Sequence, residues 1–243
     1  EDYTIDVLAR IIQTDAGVSA YLLNVANSSL YRTRAKATDI PSAIRIMGVS
    51  AVRNLVTAYS LRSIAVFKKL AIKKQLDRHW KKSAYQAAIA HAVAKLIKSV
   101  DPERALLAGL LQAVGALPVL MKLDESRLDS PSDQQIEAAL DIYSGKVGVL
   151  LAQKWELDDE LVAVIKNGGN LAYDGGAEID LVDVVNIARL LSQIGSGKIN
   201  WPRLEDSPCL QKFSDDGLTL PASMRLLKEA QEDINELKSI LAR

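Results

Sequence analysis

Two histidines and one cysteine are all the imidazole and thiol chemistry in the 243 residues. A divalent metal that activates water needs several imidazole or carboxylate ligands converging within about 2.0–2.6 Å of the ion. His79 and His91 stand 12 residues apart in one helical stretch, which separates them by about 18 Å at the helical rise per residue. They cannot share an ion. His79 precedes Trp80 in a run of basic residues and reads as a surface or interface residue. His91 sits among Ala90, Ala92 and Val93 and reads as a hydrogen-bonded core histidine. Cys209 has no neighbouring histidine and the serines are scattered, so no nucleophile is paired with a base. The pairs Gly168-Gly169 and Gly175-Gly176 follow no strand and lack the Lys-Ser/Thr of a phosphate-binding P-loop, so they read as turns.

The clearest candidate for contact with an anion is Lys68, Lys69, Lys73, Lys74, Arg78, Lys81 and Lys82, with Asp77 the only acid among them. Phosphate neutralisation by such a cluster would be strongly salt-dependent. A solvated helix face accounts for the same residues. Aromatics make up only 5% of the chain and no recognition motif accompanies the cluster, which leaves nucleic acid the weaker partner reading. The helix–Gly–helix passage from Pro41 to Tyr59 could mimic a DNA reader, but Ile44, Ile46 and Val49 read as packing residues. Net charge is zero, yet residues 1–100 hold 16 Lys/Arg against 6 Asp/Glu and residues 101–243 hold 14 against 24, which gives +10 and −10. Such polarity could steer a polar protein partner or promote head-to-tail self-association.

The elements that must position these residues are helices. Hydrophobic residues make up 49% of the chain, enough for one large domain or two packed lobes. No run alternates β-branched and polar residues as a strand would, so the fold class is all-α. Apolar stretches such as Ala105 to Val114 fall short of the roughly 20 residues that span a bilayer. No membrane span is expected. A lone cysteine and the lack of a charged-then-apolar leader point to the cytoplasm.

Ile5, Leu8, Ile11 and Ile12 form the face of a first helix, and Asp15 caps a second that contains Leu22, Leu23 and Val25. Pro41 opens a third helix, Gly48 stops it, and Ser50 caps the next. A long helix over residues 72–98 buries Leu76, Trp80, Tyr85, Ile89, Val93 and Leu96. The helix after Asp101-Pro102 is apolar nearly all round and belongs at the centre. Two helices are expected over residues 134–143 and 146–155, and a short one capped by Asp158 follows. Further helices are expected over 179–194 and, as an amphipathic last one, over 223–241.

Several segments resemble HDOD domains in type and order. They begin with Leu22-Leu23-Asn24-Val25-Ala26-Asn27-Ser28-Ser29, followed by Ile40-Pro41-Ser42-Ala43-Ile44 and Ile46-Met47-Gly48. Trp80 with Ser83 and Ala84 follows, then Ala108-Gly109-Leu110-Leu111 with Gly115. Last come Gly148 and Leu151-Ala152, leading to Trp155 and Leu157. The resemblance lies in the ordered set, which spans roughly residues 5–195.

The resemblance implies a multi-helical HDOD/HD-like bundle with an N-terminal helical lobe. The HD phosphohydrolases, which HDOD domains are similar to, hold divalent metals with histidines and an adjacent His-Asp pair. Where that pair is expected, this chain has Gln112 and Ala113. The loop where further histidines are expected reads Lys166-Asn167-Gly168-Gly169-Asn170, and Asn186 stands near the place of a final metal-binding Asp. Asp183, three residues earlier, leaves one carboxylate.

The expectation is a single HDOD domain over 1–243, with sub-lobes at 1–66 and 67–200 and a buttressing helix in 201–243. It carries no catalytic residue, metal or cofactor, and acts in bacterial signal transduction through a protein partner. Asn27, Ser28, Gly48, Trp80, Gly109, Gly115 and Trp155 are expected to be structural. The alternatives are a residual metal-dependent phosphohydrolase or nucleotide-binding domain, and a nucleic-acid-binding regulator that uses residues 68–82.

Overall fold

Asp15, Asp39, Asp101, Ser132, Asp158 and Asp180 each stand one residue ahead of a helix and accept a backbone N–H from its first turn. Each satisfies a donor that the helix itself cannot, which is worth about 1 kcal/mol. The computed structural model describes residues 5–28, 31, 36–63, 67–126, 131–194, 207–215 and 220–241, and no strand occurs among them. The helices are α1 (Ile5–Gln13), α2 (Ala16–Ala26), α3 (Ile40–Met47), α4 (Val49–Ser63), α5 (Leu70–Ile97), α6 (Pro102–Leu111) and α7 (Ala116–Glu125). They continue with α8 (Asp133–Lys154), α9 (Asp159–Asn167), α10 (Leu181–Leu191), α11 (Pro208–Asp215), α12 (Leu220–Glu229) and α13 (Gln231–Leu241).

As its sequence predicts, α6 is buried on every side from Ala105 to Leu111. The long α5 lies against it, and Gly109 permits the approach: a methyl there would come within 2.5 Å of Ala87 Cα. Helices α10 and α13 pack on α5 as well. The largest apolar cluster accordingly runs from Ala9 to Ile240. Two smaller clusters lie beside it, one joining Ile72 to Leu120 and Ile136, the other joining Val114 to Ala152 and Ile165. The expected sub-lobe boundaries, at 66/67 and 200/201, fall on or beside residues outside the described ones.

The structure corrects several expectations. Helix α8 runs unbroken where two helices were expected: it passes through Gly145, which faces open space, and Gly148 serves packing. A methyl on Gly115 would lie 2.7 Å from Gly148 Cα, so two glycines let the start of α7 meet the side of α8. The last helix divides at Ala230, whose carbonyl accepts the Ile234 N–H at 2.8 Å. Ser50 is not a cap, since α4 starts at Val49 directly after Gly48, which turns the chain at φ 83°. Ile11 and Leu96 are 59% and 51% exposed rather than buried. Trp80 and Trp155 are half-buried at the edges of apolar clusters. Residues Pro102–Glu125 are long and apolar enough to cross a membrane by composition. Here they form α6 and α7, separated by the turn at residues 112–115 and mostly buried in the fold.

Candidate functional site

Gln112 caps the C-terminus of the central helix α6, and its buried amide is fully engaged. Its Nε2 donates to Gln86 Oε1 at 3.1 Å and to the Gly109 carbonyl at 2.9 Å. Its Oε1 accepts from Arg189 Nη1 at 2.9 Å. The chain of bonds continues from Gln86 Nε2 to Ser192 Oγ at 3.1 Å, and from that hydroxyl to the Arg189 carbonyl at 2.7 Å. Helices α5, α6 and α10 are thus tied together by neutral amides, one hydroxyl and one guanidinium.

Asn186, one turn before Arg189 on α10, organises the neighbouring loop. Its Oδ1 accepts from Gly169 N at 2.7 Å, and its Nδ2 donates to the carbonyls of Asn167 and Asn170 at 3.3 and 3.2 Å. The Asn167 side chain turns back to the Ala163 carbonyl at 2.9 Å. Gln112, the 167–170 loop and Asn186 therefore share one neighbourhood. Ala113 faces elsewhere, into a small apolar cavity of about 40 Å³ that His79, Trp80 and Leu117 also line.

A divalent cation does not fit this donor set. The acceptor oxygens of Gln112 and Asn186 already serve N–H donors, Ala113 has none, and the group that points at Gln112 is a cation. Asp183 is paired outside this network: its Oδ2 takes Lys212 Nζ at 2.8 Å and the Asp180 N–H at 3.2 Å, while its buried Oδ1 has no hydrogen-bond partner. It locks α11 onto α10. Cys209 is buried beside it, with Sγ 3.4 Å from the Asp183 carbonyl, and burial pushes its thiol far above the usual range. That thiol is no nucleophile at neutral pH.

The histidines stay apart from this network. His91 is buried, with Nε2 3.7 Å from Glu103 Oε1, while Glu103 Oε2 accepts the Tyr31 hydroxyl at 2.6 Å. His79 is half-buried; loss of water, then the charge of Lys82, holds its imidazole below the ordinary value.

The basic residues before and along the first half of α5 are divided in use. Lys69 Nζ donates to the carbonyls of Leu123 and Ser126 at 2.9 and 2.8 Å, and the backbone N–H groups of Lys68 and Lys69 meet Asp124. Arg78 is paired with both carboxylate oxygens of Asp133 at 3.0 Å. Lys73, Lys74 and Lys81 are exposed, with Lys74 and Lys81 two turns apart on one face of the helix.

Other motif positions have plain structural work. The Asn27 amide donates to the Leu23 and Ala37 carbonyls and accepts from the Ala37 N–H, each at 2.9 Å, which fixes the connection into α3. Ser28 Oγ donates to the Val25 carbonyl at 2.6 Å.

Sequence reasoning missed Arg189, Gln86 and Ser192. The signal for Arg189 was present: it and Asp183 are the only charges in the stretch Leu181–Leu191, which is apolar apart from them and Asn186.

The model of the HDOD domain family matches residues 1–170. A protein from Shewanella amazonensis, provisionally named a metal-dependent phosphohydrolase, superposes with a TM-score of 0.82 at 20% identity, covering 99% of this chain and 86% of that one. An HDOD domain protein of unknown function from Geobacter sulfurreducens gives 0.65 at 19% identity with the same coverage. A protein from Marinobacter aquaeolei, provisionally named for signal transduction, gives 0.66 at 18% identity, and there this chain spans 56% of the other's length. These likenesses are of fold. No curated protein sequence matches the chain.

Proposed function

The chain belongs to the HDOD domain family, and from that premise we propose that it is a non-catalytic regulatory module of bacterial signal transduction, acting in the cytoplasm through a protein partner. One observation carries the reading. Where the resemblance implies the His-Asp pair, this chain has Gln112, its amide spent on Gln86, Gly109 and Arg189, and Ala113, which offers no donor. Hydrolysis by a metal-bound hydroxide needs an ion held by acceptor groups, and these residues present an already satisfied amide and a guanidinium. Contact with a protein is supported by the surface of α8, where Ile142, Tyr143 and Leu150 are each more than half exposed. Exposed apolar side chains in one region are a usual mark of interaction surfaces.

The test is elemental analysis after expression and desalting with Mn, Fe, Zn or Ni supplied, joined to phosphatase and phosphodiesterase assays of the same sample. The expected result is metal far below one equivalent and no metal-dependent turnover. Near-stoichiometric metal together with hydrolysis overturns the reading. For the partner, reciprocal affinity capture should recover one protein in fixed proportion, and substitution of Tyr143 and Leu150 by Asp should abolish it.

A further inference from the structure

Arg189 enters the molecule from α10, and no carboxylate among the described residues meets it. Arg78 is paired with Asp133, and Arg104 with Asp158 and Glu160. Among the described residues, Arg189 has only the neutral Gln112 Oε1. A guanidinium carries five N–H donors, so most of this one is unspent, although the side chain is half-buried and loss of water holds its pKa below the ordinary arginine value. Leaving a desolvated cation without an anion is unfavourable.

Arg189 is half-buried, so part of its side chain meets solvent. Its Nη2 and Nε lie over Gly169, where a Cβ would come within 2.9 and 3.4 Å of them. Gly169 has φ 84°, a conformation that disfavours side chains, so the loop that covers the guanidinium does so with bare, exposed backbone. A second cation, Lys82, stands on α5 one turn before Gln86, which joins the Gln112–Arg189 network, and after loss of water the charge of Arg189 is the main influence that lowers its ammonium. Glu137 and Asp141 on α8 act on Lys82 and His79, and neither acts on Arg189. The result is a pair of cations, with acids approaching only the Lys82 side.

We propose that Arg189 and Lys82 form a binding site for a phosphate-bearing anion, seated on the unused guanidinium donors beside Gly168-Gly169. The guanidinium fork matches two oxygens of one phosphate, and a dianion balances two positive charges where a single carboxylate balances one. The site adds a ligand to the regulatory reading and rests on it only in that the anion is held and not turned over.

The test titrates the full chain at low salt with inorganic phosphate and, separately, with adenosine 5′-monophosphate, following heat and the backbone amide resonances of residues 168–170. Saturable binding that shifts those amides is expected, weakened roughly tenfold or more in Arg189→Gln, the worth of hydrogen bonds to a charged group. Lys82→Gln, at an exposed position where folding is not at stake, should weaken binding severalfold and reduce its dependence on salt. Equal affinity for the two probes identifies free phosphate as the ligand; tighter binding of the monoester identifies a phosphorylated metabolite. No saturable binding of either probe at millimolar concentration overturns the proposal, as does binding that neither variant changes. Release of phosphate from the monoester leaves this site standing and overturns the non-catalytic reading instead.

Discussion

Asp183 is fully buried, its Oδ2 is 2.8 Å from Lys212 Nζ, and its Oδ1 has no hydrogen-bond partner. Burial raises its carboxyl above the usual range, and the Lys212 ammonium works against that rise. Lys212→Met leaves the carboxylate uncompensated, and the expected loss is about 3–5 kcal/mol in urea unfolding near neutral pH. An acid whose folded pKa is raised binds more protons folded than unfolded, so its penalty is present at high pH and relieved as pH falls. The deficit of Lys212→Met should therefore shrink as pH falls from neutral into the acid range, as Asp183 takes up a proton. The raised pKa of Lys212 itself stabilises throughout this range and loses effect only as pH rises through the lysine values, so it does not disturb the comparison. A deficit that stays constant with pH would show that Lys212 does not compensate the Asp183 charge. Next to this pair, Cys209 should stay unreactive toward a thiol reagent such as DTNB in the native protein and react fully once unfolded. At this scale the sequence supplies residue types: Gln112 and Ala113, which stand where the resemblance implies a His-Asp pair, carry neither imidazole nor carboxylate. What fills the place was not legible. The partner of Asp183 lies 29 residues downstream, and the meeting of Arg189 with Gln112 spans 77 residues and depends on how α10 is turned against α6.

Between helices, glycines decide how closely axes approach, and two of them make opposite predictions. A methyl on Gly115 would drive into the Ser144 carbonyl and the Gly148 backbone, neither of which is a flexible side-chain end that can swing away. Gly115→Ala should cost about 3 kcal/mol or more and part α7 from α8. Gly145 lies in the middle of α8 with nothing within 4 Å of the Cβ it lacks. Gly145→Ala should stabilise by about 0.5–1 kcal/mol, since alanine loses less backbone entropy on entering a helix. Chemical denaturation of the two variants gives both signs in one experiment; destabilisation by Gly145→Ala would mean that α8 bends or opens there. The same glycines explain where helices were legible. Caps such as Asp15, Asp101 and Asp158 act within a few residues of themselves and are readable locally. Ser144-Gly145 looks like a stop in a local reading, and Gly148 a few residues on is where the start of α7 meets the continuing helix.

The distribution of the core decides how the whole molecule unfolds. One apolar cluster takes residues from Ala9 and Ile12 on α1 through Ala87 and Leu106 to Ile234 and Ile240 on α13, so N-terminal and C-terminal helices bury surface on the same central pair, α5 and α6. Neither end can separate without exposing that pair, and the opposite charges of the two halves of the sequence favour their staying together. The expected outcome is a single cooperative transition. Far-UV circular dichroism, which weights all the helices, and tryptophan fluorescence, which includes Trp80 beside the large cluster and Trp155 beside the smaller one, should give coincident midpoints in urea. If the sub-lobes at 1–66 and 67–200 folded independently, circular dichroism would show an early step to which the tryptophans, all at or beyond residue 80, respond weakly. Raising salt sharpens the distinction. Screening weakens attraction between exposed charges and leaves apolar burial intact, so a one-core molecule keeps coincident transitions at high salt, whereas two lobes held together by charge would separate into two.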